Sequence, residues 1–71
     1  MDLEKKKYIW RAKDKKIISC DEKNKILNEN INELENMVQS LYDDALLMGC
    51  DSLDVKLKIL RIVKNIKYSF D

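Results

Sequence analysis

Apolar residues recur along the middle of the chain in alternating steps of four and three. Leu27, Ile31, Leu34, Val38, Leu41, Ala45 and Met48 hold that rhythm without a break. It is the a/d spacing of a heptad seam, which places the apolar side chains on one stripe of a helix. Carried backwards, the same register meets Asn24, Cys20 and Ile17. The ends are marked as well. Ser19-x-x-Glu22 has the form of a capping box. Asp21 and Glu22 suit the positive end of the helix dipole. Gly49, the chain's only glycine, supplies a left-handed stop. The pattern predicts one helix over about 20–48.

A second helix is predicted over about 52–69. Asp51 is a good N-cap, and Asp54 falls in the first turn. Cys50, just ahead of the cap, is placed to staple onto Val55. Val55, Ile59, Ile62, Val63, Ile66 and Phe70 share an arc of about 100° on a helical wheel. Leu53, Leu57 and Leu60 form a second apolar face. "VKLKI" (55–59) also alternates as a strand would. The cap before it and the helical stripe after it decide for helix.

The first 19 residues are less regular. "YIWR" and "KIIS" flank "AKDK", which fits a short β-hairpin with Asp14 in the turn. An irregular helix is the alternative. The apolar residues of this stretch form no clean helical stripe, which favours the hairpin. A turn of two or three residues forces the two helices antiparallel. The expected fold is mostly α: an antiparallel two-helix hairpin (about 20–48 and 52–69) with a short N-terminal segment, a possible β-hairpin. The whole is expected to form a single small domain over 1–71, divided into a basic segment (1–19) and the helical hairpin (20–71).

Length changes that picture. A chain of 71 residues buries only about 60% of the surface its unfolded form exposes, so it gains from a partner. The apolar surface is also wider than one hairpin needs. Met37 and Tyr42 flank the seam, Leu46 and Leu47 widen it near the turn, and the second helix has two apolar faces. Pairing into a helical bundle follows, through self-association (a homodimer) or docking on another protein. The expected interface residues are Leu27, Ile31, Leu34, Met37, Val38, Leu41, Tyr42, Leu53, Leu57 and Leu60.

The net charge of +1 conceals a block pattern. Residues 1–19 carry net +4, residues 20–50 net −5 and residues 51–71 net +2. An acidic middle between basic ends can satisfy itself by folding back, with no nucleic-acid partner required. The basic start still has a functional form. Lys5, Lys6, Lys7, Tyr8, Trp10, Arg11 and Lys13 interleave cations with aromatics, as single-stranded nucleic-acid grooves do. "VKLKILRIVKNIKYSF" is cationic and amphipathic, a pattern that suits an anionic membrane surface or a partner's groove. Burial against the acidic helix accounts for it more simply. No apolar run approaches the roughly 20 residues of a membrane span, and the start lacks an apolar signal core. A cytoplasmic protein is expected.

Little catalytic chemistry is on offer. There is no histidine. Cys20 and Cys50 would be separated by roughly 45 Å along a continuous helix, too far for a disulfide or a shared metal. Cys20 falls on a d position and is expected in the core. A reactive Cys50 would want a nearby base, and none is evident. Asp43, Asp44, Asp51 and Asp54 gather around the turn, but their spacing is not that of a calcium loop. Asp51 and Asp54 are accounted for as helix-start residues.

Two families share features with particular residues of the chain. Asn24 at an a position behind a basic segment is similar to a basic-zipper layout. The zipper family's asparagine and arginine pattern is missing, and Gly49 cuts the repeat short. A long helix, a glycine turn and a second helix also resemble the small hairpin phosphatases of the sporulation phosphorelay. Their S-Q-x-x-D motif has no counterpart between Lys56 and Tyr68, so no residue role is carried over. The sequence predicts a non-catalytic protein-interaction module, an adaptor, regulator or accessory subunit, with no metal or cofactor. The alternative is a nucleic-acid-binding module using the basic aromatic start.

Overall fold

A computed structural model describes residues 7–70. Two helices account for most of it: α1 (Asp21–Leu47) and α2 (Ser52–Lys64). The fold is mostly α, a helical hairpin. The described residues divide into two compact units, with the border after Asn36, inside α1.

In the first unit the N-terminal segment forms a tight antiparallel turn. Among the described residues it makes no strand, only an isolated bridge between Arg11 and Ile17. The Ile18 amide donates to the Trp10 carbonyl at 2.8 Å, and the Ala12 amide to the Lys16 carbonyl at 2.8 Å. Lys15 N–H reaches back to the Ala12 carbonyl at 2.9 Å, closing a turn over 12–15. Asp14 Oδ1 accepts from the Lys16 amide at 3.0 Å, the aspartate turn chemistry expected of that position. Lys15 then takes a positive φ of 73°. That is the left-handed residue that closes a three-residue hairpin loop. The loop forms without a glycine, and pairing stops after one bridge.

α1 starts one residue later than Ser19 as cap would place it. The Cys20 carbonyl accepts from the Asn24 amide at 3.0 Å, so Cys20 is the half-in residue of the helix start. Its side chain is exposed, not in a core as its d position suggested. The register there is used by the backbone.

In the second unit the end of α1 closes as a Schellman motif. The Cys50 amide donates to Ala45 O at 2.9 Å and the Gly49 amide to Leu46 O at 3.0 Å, with Gly49 at φ 94°. Cys50 is exposed and contributes through its amide; the staple onto Val55 is not formed by a buried thiol. Asp51 caps α2 as expected, accepting from the Asp54 amide at 2.9 Å. Asp54 then pairs with Lys58 at 2.7 Å, one turn on. This exposed pair contributes about 0.3–0.5 kcal/mol.

α2 ends at Lys64, five residues short of the expected 69. Asn65 is the capping residue there. Its side-chain Nδ2 and its backbone amide both donate to the Arg61 carbonyl, at 2.9 and 3.1 Å. Asn32 makes the same contact with the Asn28 carbonyl inside α1, where the helix runs on, so this bond accompanies the end of α2 and does not set it. Ile66 and Phe70 leave the helical stripe. Tyr68 and Phe70 instead pack edge to face, with centroids 5.6 Å apart.

Candidate functional site

Three asparagines spaced one turn apart organise the first unit. Asn24 Nδ2 donates to the Ile18 carbonyl at 2.9 Å. Asn28 Oδ1 accepts twice, from the Tyr8 amide at 2.9 Å and from the Trp10 indole Nε1 at 3.0 Å. Asn32 Nδ2 donates to the Asn28 carbonyl at 2.6 Å. Amide side chains at i, i+4 and i+8 stand on one helix face, so they read out two points of the chain lying against it. Tyr8 packs against Trp10 at 6.1 Å between centroids, tilted by 59°. Trp10, Ile18, Leu27 and Ile31 are half-buried in the same unit.

The apolar pattern of the sequence does not pick out this ladder. The signal was there: weak helix formers at positions 24, 28, 32 and 36, one per turn, inside an otherwise strong helix. Beside the ladder runs a groove of about 520 Å³, which Lys7, Tyr8, Asp21, Lys25 and Glu29 also line. It mixes both charge signs with neutral amides, so no one ligand charge is selected.

Several of the residues proposed for nucleic acid fall in this unit. Lys5 and Lys6 lie outside the described residues. Lys7, Arg11 and Lys13 are exposed. The Arg11 guanidinium donates to the Lys15 carbonyl at 2.9 Å, bracing the turn. Trp10 is the anchor of the turn on α1.

The second unit holds the apolar surface. Val38, Tyr42 and Ala45 of α1 are half-buried, as is Ile59 of α2, and Val55 is buried at 7% exposure. The covered positions of α1 here step by four and three from Val38, so Tyr42 at the flank faces inward and Leu41 of the predicted seam is half exposed. The Lys56 ammonium lies 5.5 Å from the centre of the Tyr42 ring, a cation–π contact across the hairpin. Between the arms runs a groove of about 470 Å³ lined by Val38, Gln39, Tyr42, Lys56, Ile59 and Leu60. Its floor is aliphatic and aromatic, and its polar atoms are few.

The proposed interface residues divide accordingly. Leu27, Ile31, Val38 and Tyr42 are half-buried within their own units. Leu34, Met37, Leu41, Leu53, Leu57 and Leu60 are exposed, with Met37 at 71% and Leu53 at 62%. The aspartates at the turn do not converge. Asp43 accepts from Gln39 Nε2 at 3.0 Å, Asp51 caps α2 and Asp54 holds Lys58. Among the described residues no group of three or more acidic, cysteine or histidine side chains is placed to hold a metal ion. No helix among them is long and apolar enough to cross a membrane.

No protein-family model, curated protein or solved structure matches the chain.

Proposed function

We propose that the chain is a small non-catalytic protein-interaction module: an adaptor, regulator or accessory subunit that works through the apolar faces of its helical hairpin. One observation carries this reading. Val55 is the only buried residue among those described, while Met37, Leu53, Leu57, Leu60, Ile62 and Val63 stand more than half exposed. Full burial of a large aliphatic is worth about 1.5–3 kcal/mol, and each of these side chains forgoes a good part of that. Exposed apolar side chains in this number support a binding surface. The partner is a second copy or another protein. A cytoplasmic setting agrees with two unpaired cysteines, since oxidising compartments favour disulfides.

Light scattering on the eluting full chain, from low to high micromolar concentration, tests the self-associating form. The expected mass is twice the 8.4 kDa of one chain. A monomer throughout, with a sharp unfolding transition of its own, would count against association through these faces.

A further inference from the structure

The second unit carries opposite charge on its two arms. Between residues 37 and 47, α1 has Asp43 and Asp44 and no lysine or arginine. α2 has Lys56, Lys58, Arg61 and Lys64 against Asp54, and Asp54 already holds Lys58. The groove between the arms is open and apolar, with Gln39 and Lys56 as its polar lining residues.

Two such hairpins can be laid groove to groove about a two-fold axis in two ways. An axis across the helices sets each arm on its own copy, acid on acid and base on base, with the turns at opposite ends. An axis along the helices sets each acidic α1 arm antiparallel on the other copy's basic α2, with both turns at one end. The second arrangement also matches in height. Asp43 lies six residues before Gly49 and Lys56 seven after it, so the two stand level across the interface at the helical rise.

We propose that this groove is the contact surface between two copies of the chain, related by a two-fold axis running along the helices, so that Asp43 of each copy faces Lys56 of the other. The proposal rests on the interaction-module reading and adds the partner and its arrangement. An isologous interface must be complementary to itself. This one is, in charge as in apolar character, and a net charge of only +1 opposes pairing little. A basic arm alone would select an acidic partner; an acidic arm beside it selects this chain.

The exposed Cys50 reports the arrangement directly. In the full chain carrying Cys20→Ser, a short bis-maleimide reagent is expected to link Cys50 to Cys50, because both turns lie at one end. Light scattering is run on the same sample. A dimer that does not cross-link overturns the axis while leaving self-association intact; a monomer overturns the pairing itself and leaves the interaction reading only with another protein as partner. Charge exchange gives a second readout. Asp43→Lys and Lys56→Glu are each expected to weaken self-association at least tenfold, and mixing the two variants to restore it as a heterodimer. Asp43→Lys pairing as tightly as the parent chain overturns the arrangement.

Discussion

The indole N–H of Trp10 donates to Asn28 Oδ1 at 3.0 Å, and that same oxygen takes the Tyr8 amide at 2.9 Å. One helix-borne carboxamide thus fixes both a ring and a backbone of the segment before it. The contact is part-buried, so its loss leaves an indole N–H short of an acceptor. Asn28→Ala is expected to cost about 1–3 kcal/mol. Trp10 is the only tryptophan, so its emission reports the change without interference. A red shift in native buffer is expected; an unchanged spectrum would mean that the segment is held by other contacts.

Gly49 adopts φ 94°, and a β-carbon added there meets nothing within 4 Å. Space is therefore not the constraint, and backbone strain alone sets the cost. Gly49→Ala is expected to destabilise by about 1–2 kcal/mol, with Gly49→Asn costing less because asparagine tolerates this region. Urea unfolding of the two variants side by side checks the order.

Lys15 occupies the left-handed region at φ 73°, in a loop where glycine is the usual choice. Relief of that strain exceeds the entropy glycine adds to the unfolded chain. Lys15→Gly is expected to raise stability by up to about 1 kcal/mol. A loss of stability in thermal melts would show that the lysine side chain contributes something beyond its backbone.

Val55 and Leu53 separate folding from association. Val55 is 7% exposed and Leu53 62%. Val55→Ala is expected to cost about 1.5–3 kcal/mol at every protein concentration. Leu53→Ala is expected to leave the dilute melt unchanged and to flatten the rise of Tm with concentration that association produces. Equal effects of the two variants at low concentration would place Leu53 in the fold itself.

The basic N-terminal residues make a separate test. Arg11 braces its own turn and Trp10 is committed to Asn28. A fluorescent single-stranded oligonucleotide titrated with the full chain is expected to show no salt-sensitive rise in anisotropy. A rise that falls away with added salt would favour the nucleic-acid reading over the interaction module.

Local rules made much of the hairpin legible in the sequence. Glycine can adopt a positive φ that other residues resist, so Gly49 marked where α1 ends. An aspartate ahead of an amphipathic run caps it, so Asp51 marked where α2 begins. These signals act over a few residues and need no partner from elsewhere in the chain. The heptad rhythm likewise announced a helix, because periodicity follows from backbone geometry alone.

Which side of that helix would be covered, and by what, was settled only in the tertiary structure. Tyr42 turned inward beneath Lys56 while Leu41, on the predicted seam, stayed half exposed. Asn24 and Asn28 became anchors because a bridged turn of the N-terminal segment brought Ile18, Tyr8 and Trp10 within their reach. α2 stopped at Lys64, although the apolar stripe ran on to Phe70. A sequence pattern states which residues share a face. The facing of one element by another depends on contacts between residues up to twenty positions apart, and those form only when the chain has folded.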